Sequence, residues 1–405
     1  MAANRLANFG AGPSALPESV LVEAAQGLLN FNNTGIGIAE ISHRSAEFNA
    51  YIRHTAQLIR EQLDVPPTHE ILFMQGGGTA QFSAVVLNLL ARHRLLHPAM
   101  DEKDRVLDYV LSGTWSQASY TEATRLAHGA TVRIAADSRA HSADHKSFDG
   151  LPPHTAYSFS PNPVLIYYCE NETVSGTQFS HTDGPDAFPF HLLPTEPLLP
   201  LVADYSSSFM SRPIPRLADH AVIFAGAQKN LGPAGTSIVI VRKDCIVDVD
   251  AALPFGGYPV PVSLAYAPYA AQDSMPNTPS VFAVYVVGLV LERMAALGGV
   301  QGCEEVNRRK MDSVYAVLWE GERRGVFRPK VRRGQGSWMN VTFGVCGDGA
   351  EKRFLDGAEQ RGLKGLKGHR SVGGMRASLY NAVTEEWVDK LVAYMREFIE
   401  QETTA

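Results

Sequence analysis

The chain has 405 residues, of which 45% are hydrophobic and 19% charged. This composition is typical of a globular protein and excludes a disordered chain. With 36 Lys and Arg against 42 Asp and Glu, the net charge is −6. A general DNA- or RNA-binding protein is therefore disfavoured, because such proteins carry a surplus of basic residues. Length alone favours two or three domains, or one large α/β core with a smaller partner.

No apolar run reaches the roughly 18 residues of a membrane helix, so we expect no membrane partner. The N-terminus lacks the basic, apolar and small-residue regions of a signal peptide. Four cysteines lie far apart without a C-x-x-C pair, at Cys169, Cys245, Cys303 and Cys346. We therefore expect a reduced, cytoplasmic protein without disulfides or bound metal.

Apolar periodicity changes repeatedly between helical spacing and short continuous runs. In chain order it predicts helices 17–31 and 47–63, strand 70–74, helix 79–90, strand 106–111, helix 116–126 and strand 131–134. Four more apolar runs predict strands 164–169, 199–204, 221–225 and 237–241. The alternation predicts an α/β fold in which a mostly parallel, seven-stranded sheet is flanked by helices.

Two segments between these elements lack a periodic pattern. Residues 137–155 are polar and rich in Pro and Gly, and we expect a surface insertion there. Residues 254–280 contain many Pro, Tyr and Gly residues, and a loop of that length is usually functional or interfacial.

The last third of the chain predicts a separate α+β unit. Its elements are helices 281–297 and 302–324, strand 338–343, helix 351–362, strand 375–380 and helix 384–400. We therefore predict a large domain over residues 16–280 and a small C-terminal domain over residues 281–405.

Lys229 follows a predicted strand and is surrounded by small and apolar residues. Lost solvation disfavours the charged form of such a lysine and makes its amine a better nucleophile. Asp204 ends an earlier strand, and ligands in open α/β sheets lie at the carboxyl ends of strands. The two side chains can therefore address one ligand, although a lysine at a strand end can also simply reach water.

Three other strand ends carry candidate ligand groups. Gly76, Gly77 and Gly78 stand between a strand and a helix, where backbone N–H groups can bind a phosphate or form a structural turn. Trp115 can stack on an aromatic ligand or lie in the core, and the Thr173 hydroxyl can bind a ligand or cap a turn.

Basic residues cluster in two places, at Ser42-His43-Arg44 and between Lys364 and Arg376. Arginine matches the planar geometry of carboxylates and phosphates. In an acidic chain these clusters suggest an anionic small-molecule substrate, with a solvated basic loop as the alternative at each single site.

Together, the order and spacing of these motifs resemble the phosphoserine aminotransferase family of fold-type I pyridoxal-phosphate enzymes. The resemblance extends from Asn8 to Ala382 and rests on six segments: Ile41–Arg44, Gly76–Phe82, Glu172–Gly176, Phe224–Asn230, Tyr258–Pro279 and Lys367–Ser378. It implies transamination between L-glutamate and 3-phosphohydroxypyruvate, a step of serine biosynthesis, in a homodimer. It also implies that residues 1–15 pack with the small domain.

The resemblance assigns a role to each matched residue. Lys229 carries pyridoxal phosphate, Asp204 pairs with its ring nitrogen, Trp115 stacks on its ring and Thr173 lies near its ring hydroxyl. Its phosphate is bound by the backbone of Gly78 and Thr79, by Gln228, and by Asn277 and Thr278 of the other subunit. Arg376 binds the substrate carboxylate, and the distal anion lies among His43, Arg44, His369 and Arg370.

The chain departs from the family pattern at two positions. Thr79 replaces an arginine of bacterial members, so one cation near the substrate phosphate is absent, and Ala80 replaces a common glycine. The number of cations on the substrate phosphate therefore does not follow from the resemblance.

Two alternative functions stay open at this point. Another fold-type I enzyme, such as an alanine–glyoxylate-type aminotransferase or a cysteine desulfurase, would share Asp204 and Lys229 but not the cations for a distal anion. A nucleotide-binding or regulatory protein would use Gly76–Gly78 as a phosphate loop and would be colourless.

Overall fold

The computed structural model describes residues 5–196 and 198–404. Its strands are β1 (Ala7–Asn8), β2 (His69–Met74), β3 (Val106–Leu111), β4 (Thr131–Asp137), β5 (Pro163–Cys169), β6 (Leu201–Asp204), β7 (His220–Gly226), β8 (Ser237–Arg242), β9 (Phe327–Pro329), β10 (Asn340–Val345), β11 (Leu363–Lys364) and β12 (Met375–Ser378). All seven predicted strands of the large sheet are present, most of them one to three residues longer or shorter than their apolar runs.

Nine α-helices are found within the described residues. They are α1 (Glu18–Gly27), α2 (Ala46–Gln62), α3 (Gly77–Leu96), α4 (Thr114–Leu126), α5 (Tyr266–Ala271), α6 (Val281–Ala296), α7 (Gly299–Arg323), α8 (Ala350–Gln360) and α9 (Glu385–Thr404). Eight of them match predicted helices. The helix α5 was not predicted, because its six residues are too few to show a helical period.

The seven-stranded sheet has the order β2-β8-β7-β6-β5-β3-β4. Strands β4, β3, β5, β6 and β7 are mutually parallel, whereas β8 is antiparallel to both β7 and β2. Only β8 therefore runs against the others, which confirms the prediction of a mostly parallel sheet. As a result, the carboxyl ends of β2, β3, β5, β6 and β7 lie along the same side of the sheet.

Successive residues of the central strands point to opposite faces of the sheet, and both faces are buried. One face, with Ile166, Ala203 and Ile223, packs against α1, α2 and α6. The other face, with Val202 and Val222, packs against α3 and α4. Burial on both sides explains why these strands read as continuous apolar runs rather than as alternating patterns.

The C-terminal residues build a second core around the antiparallel sheet β12-β10-β9, covered by α7, α8 and α9. The strand β1 pairs in parallel with β11, and Phe9 lies in this second core. The division into domains at residue 280 stays a prediction. Because the buried residues of α6 belong to the core of the large sheet, the packing favours a boundary after α6.

Residues 138–162, after β4, pack partly against the C-terminal unit. Arg332 pairs with Asp149 at 2.9 Å, and the backbone N–H of Leu151 donates to the Gln335 side chain at 2.8 Å. Leu151 itself is buried. The segment is therefore not only a surface insertion, and its polar composition hid the buried apolar residues Leu151 and Tyr157.

Within the part of the chain that the structure describes, no single helix is both long and apolar enough to cross a membrane. The helices α6 and α7 meet the criteria of length and composition only together, across an 82° bend.

Lys310 of α7 provides a test of the second core. It is 1% exposed, and its ammonium donates to the carbonyl oxygens of Leu379 at 2.8 Å, Tyr380 at 2.9 Å and Val383 at 3.0 Å. Lys310→Met keeps the length of the side chain but leaves three carbonyls without this donor. We expect it to lower the free energy of unfolding by about 3 kcal/mol.

Urea unfolding measures this loss. The matched control is Lys390→Met, because Lys390 is exposed and pairs only with Glu386 at its surface. That substitution should change the free energy of unfolding by less than about 0.5 kcal/mol. Equal effects of the two substitutions would show that the buried ammonium does not hold the 379–383 turn.

Candidate active site

A cavity opens at the carboxyl ends of five of the six codirectional strands, β2, β3, β5, β6 and β7. It has a volume of about 590 Å³, including its mouth, and is lined by Gly76, Gly77, Gly78, Thr79, Phe82, Trp115, Cys169, Asn171, Thr173, Asp204, Ser206, Ser207, Gln228 and Lys229. Each of the five strand ends contributes at least one residue. Sequence-predicted residues from four separate motifs therefore converge with Lys229 in one place.

Lys229 follows β7 and extends its side chain into this cavity. Its amine donates to the hydroxyl oxygen of Thr173 at 3.0 Å. Burial lowers the pKa of Lys229 to about 8, and the negative charge of Asp204 opposes part of that shift. A substantial share of the amine is therefore neutral near physiological pH, which is the form that acts as a nucleophile or a base.

Asp204 ends β6 and is 4% exposed. One carboxylate oxygen accepts the backbone N–H of Ser206 at 2.8 Å. Burial raises the pKa of Asp204, whereas this hydrogen bond and the nearby Lys229 lower it. The cavity thus holds one acid and one amine of opposite charge, each destabilised by lost solvation and stabilised by the other.

The three glycines after β2 form a turn that leads directly into α3. Gly76 and Gly77 have φ angles of +91° and +64°, a region that residues with a Cβ rarely adopt. The helix α3 has no acidic residue in its first turn, and the N–H groups of Gly78 and Thr79 lie in that turn at the cavity. Free N–H groups and the helix dipole together favour an anion such as a phosphate at this point.

Trp115 stands in the first turn of α4 and lines the same cavity. The indole nitrogen is buried and has no hydrogen-bond partner among the described residues. Its ring therefore faces the cavity as an aromatic surface on which a flat ligand can stack.

The N-terminal segment covers Lys229 from the side of the second core. A Cβ on Gly12 would lie 2.9 Å from Cδ of Lys229, so the backbone approaches the lysine closely. The Ser14 N–H donates to the Gln228 carbonyl at 3.0 Å, and the Ser14 hydroxyl donates to the Lys229 carbonyl. On the other side, the Asn381 N–H donates to the Asn230 side chain at 3.0 Å. Gln228 and Asn230, the two neighbours of Lys229, are thus hydrogen-bonded to the N-terminal segment and to the C-terminal unit, respectively.

Three predicted basic residues belong to the C-terminal unit and lie outside the cavity lining. Arg376 of β12 donates to the Thr173 carbonyl at 3.1 Å, and burial lowers its pKa. Burial, together with the positive charges of Arg376 and Arg370, lowers the pKa of His369 and so favours its neutral form. Lys330 donates to the carbonyls of Val372 and Gly373 at 2.7 and 2.6 Å and so holds the loop that carries His369 and Arg370. Arg376 therefore brings a positive charge next to Thr173, a residue of the cavity wall.

Four further predicted residues also lie outside the cavity lining within the described single chain. His43 lies half-buried before α2 with an unpartnered ring nitrogen, and Arg44 is exposed. The amide of Gln75 donates to the Asn277 side chain at 3.2 Å and to the Thr278 carbonyl at 3.1 Å. Asn277 and Thr278 are therefore next to the glycine turn but not in the cavity of their own chain.

The sequence interpretation missed several residues of the cavity wall. Ser206 and Ser207 are not among the predicted site residues, yet both line the cavity, and the Ser206 hydroxyl accepts the N–H of Gly226 at 3.2 Å. Asn171 donates to the Ser207 hydroxyl at 2.7 Å. Their position directly after β5 and β6 is the signal that could have identified them.

Comparison with known proteins shows the family to which the chain belongs. The family model described as aminotransferase class-V matches residues 6–391. A phosphoserine aminotransferase of Bordetella avium is 40% identical over 96% of this chain and 97% of its own length. A probable phosphoserine aminotransferase of Caenorhabditis elegans is 39% identical over 98% of both chains.

Solved structures give the same result. The phosphoserine aminotransferase of Bacillus circulans subsp. alkalophilus superposes with a TM-score of 0.85 at 34% identity, over 99% of this chain and 100% of its own. A phosphoserine aminotransferase of Trichomonas vaginalis, solved with pyridoxal phosphate bound, gives a TM-score of 0.82 at 32% identity, over 97% of this chain and 100% of its own. The chain therefore belongs to the class-V aminotransferases and, within them, to the phosphoserine aminotransferase family. The fold class and the family resemblance predicted from the sequence are confirmed.

The charge coupling inside the cavity yields a pH prediction. Because the Asp204 carboxylate raises the pKa of Lys229, Asp204→Asn should move that pKa further below about 8. It can be measured on protein freed of small molecules, from the ¹³Cε resonance of Lys229 assigned with Lys229→Ala.

Asp219→Asn is the control, because Asp219 lies before β7, at the opposite end of the strand from Lys229. It should leave the pKa of Lys229 unchanged. An unchanged or increased pKa in Asp204→Asn would mean that the two groups do not interact.

Proposed function

We propose that this chain is a pyridoxal-phosphate-dependent phosphoserine aminotransferase. It interconverts 3-phosphohydroxypyruvate and L-glutamate with O-phospho-L-serine and 2-oxoglutarate, a step of serine biosynthesis. The observation that carries the proposal is the buried pair of Lys229 and Asp204, set beside a helix N-terminus that favours a phosphate, in a chain of this family.

The residues present fit the cofactor. An aldehyde needs a neutral amine, and the lowered pKa of Lys229 gives this lysine a larger neutral share than an exposed lysine has. A protonated ring nitrogen needs the buried anion of Asp204. We assign the ring face to Trp115 and the ring hydroxyl to Thr173. The phosphate is assigned to the backbone N–H groups of Gly78 and Thr79, with Gln228 beside them.

When bound, the cofactor supplies an electron sink that makes the α-hydrogen of an amino acid acidic. With the cofactor bound, Lys229 would act as the general base, and its Nζ would take the proton from the substrate Cα and hold it as the ammonium. The Thr173 hydroxyl holds that amine in place between transfers. The Asp204 carboxylate stays ionised, because a positive partner compensates its burial.

The cations at the mouth of the cavity select the substrate. We assign the substrate carboxylate to Arg376, which already points toward Thr173, and the distal phosphate or carboxylate to His369 and Arg370. Both glutamate and the phosphorylated oxo acid carry an anion at each end. Cations on a glycine-rich loop can therefore serve both substrates.

Seven assigned residues lie outside the cavity lining of their own chain, and a homodimer accounts for four of them. We propose that His43 and Arg44 complete the distal anion site, and that Asn277 and Thr278 reach the cofactor phosphate, across a subunit interface. We also place the enzyme in the cytoplasm, with no nucleic-acid or membrane partner.

Replacing the lysine tests the core of the proposal. Lys229→Ala should abolish transamination and the visible absorbance of the purified protein, since no other amine lines the cavity within the described residues. In the unsubstituted protein, borohydride reduction followed by peptide mapping should place the label on Ala227–Asn230. A label on another peptide, or a colourless unsubstituted protein, would contradict the proposed function.

Replacing the cations tests the substrate. In His369→Ala and Arg370→Ala variants we expect KM for 3-phosphohydroxypyruvate to rise roughly 10-fold or more, because a charge-assisted contact is lost. Kinetics with hydroxypyruvate, which lacks the phosphate, should change little.

Arg361→Ala is the matched control, because Arg361 is an exposed arginine of the same unit that pairs with Glu397. A preference for glyoxylate over the phosphorylated acid in the unsubstituted enzyme would favour the alanine–glyoxylate type instead.

A further inference from the structure

Glu172 lies in the segment after β5 and is buried beneath the first turn of α4. One carboxylate oxygen accepts the backbone N–H of Trp115 at 2.8 Å, and the other accepts that of Ser116 at 2.8 Å. The residue is 0% exposed. Its own backbone is fixed as well, because its N–H donates to the Thr177 carbonyl at 2.9 Å and its carbonyl accepts the Gly176 N–H at 2.8 Å. The carboxylate therefore links two rigid parts of the cavity wall.

The residue at position 113 shows how closely the carboxylate approaches α4. A Cβ on Gly113 would lie 2.3 Å from Cδ of Glu172. The φ of Gly113 is 178°, an extended conformation open to any residue. The backbone conformation would therefore accept any residue at position 113. Only glycine fits, because the Glu172 side chain occupies the space that a Cβ would need.

Burying a carboxylate at this position costs free energy, because the charged group loses its solvation. Burial and the nearby Asp204 raise the pKa of Glu172 to about 7, and its hydrogen bonds to α4 oppose that shift. Apolar side chains of similar volume usually stabilise a core at least as well as a buried charged group. What an apolar side chain cannot do is accept two N–H groups at once and so fix the rotation and height of a helix end.

The side chain that this arrangement positions is that of Trp115. Its indole nitrogen has no hydrogen-bond partner among the described residues, so no polar contact of the ring orients it. The ring packs against the apolar core on the α3 and α4 face of the sheet, and its place at the cavity also depends on its backbone. The Glu172 carboxylate holds that backbone.

We propose that Glu172 is a positioning residue that fixes the Trp115 ring against the cofactor through the N-terminal turn of α4. The inference rests on the proposed function, because the ring needs a flat ligand to stack on. Glu172 touches neither substrate nor cofactor in this account and acts only through Trp115.

The test is a double-mutant cycle between Glu172→Gln and Trp115→Phe on the purified holoenzyme. Glutamine keeps the shape of the side chain but turns an NH₂ group toward one of the two N–H donors. We expect Glu172→Gln to weaken the binding of pyridoxal phosphate about 10-fold, measured by spectral titration of the stripped enzyme, and to reduce the visible circular dichroism of the bound cofactor. In the Trp115→Phe background the same substitution should change either quantity less than about 2-fold.

Glu170→Gln is the matched control. Glu170 is equally buried and lies two residues earlier, but it contacts Arg212 at 3.1 Å and His181 at 2.8 Å and makes no hydrogen bond to α4. This substitution should lower thermal stability while leaving the circular dichroism of the cofactor unchanged.

Two outcomes would overturn the inference. An equal effect of Glu172→Gln with and without Trp115 would show that Glu172 acts independently of the ring, for instance on the charge of Lys229. An equal loss of the cofactor signal in Glu170→Gln would show general destabilisation. If Glu172→Gln does not fold, Glu172→Asp takes its place in the same cycle, because the shorter side chain loses contact without losing the charge.

The proposed function is tested separately in the same preparation. Turnover of 3-phosphohydroxypyruvate with L-glutamate by the unsubstituted enzyme is required for the proposed function. Its absence would defeat that function, whereas the cofactor titration and circular dichroism decide the role of Glu172 without any substrate.

Discussion

The mutual attraction of an amine and a carboxylate inside a poorly solvated cavity is the constraint on which this active site depends. Each of Lys229 and Asp204 would be unfavourable in this cavity without the other, because burial disfavours the charged form of both side chains. Together they hold opposite charges at the ends of adjacent parallel strands, β6 and β7. The parallel arrangement of the strands brings the two side chains together, because the carboxyl ends of parallel strands lie along the same side of the sheet.

Most residues at these strand ends could be predicted from the sequence, because the signal for each lies in its immediate neighbours along the chain. Each short apolar strand ends at a functional residue or is followed closely by one. Asp204 is the last residue of β6, and Gly76–Gly78 follow β2. A strand end can thus be located from the sequence without knowledge of distant contacts. Elements with little local signal were missed, among them α5 and the two-residue strands β1 and β11. Their formation depends on partners far away in the chain, such as Leu363 for Ala7.

The site residues that sequence reasoning left out share one property, which is that their partners lie on other strand ends. Asn171 bonds to Ser207, and Glu172 bonds to the backbone of Trp115 and Ser116. No periodicity or motif spacing reveals such a contact. His43, Arg44, Asn277 and Thr278 show a related limit. If the site is shared between two subunits, as we propose, no pattern in one sequence says which subunit completes it.

The pairing of β1 with β11 also has a consequence for synthesis of the chain. Residues 7–14 are made early, yet the strand that β1 joins, Leu363–Lys364, is made about 350 residues later. Between the synthesis of Lys229 and that of Leu363 the chain grows by about 130 residues, which at roughly 5–20 residues per second takes on the order of 7 to 27 s. During that time the large sheet can form while the N-terminal segment lacks its β-strand partner. The amine of Lys229 is therefore open to small aldehydes until β11 has been made, and the pairing of β1 with β11 is the step that covers it.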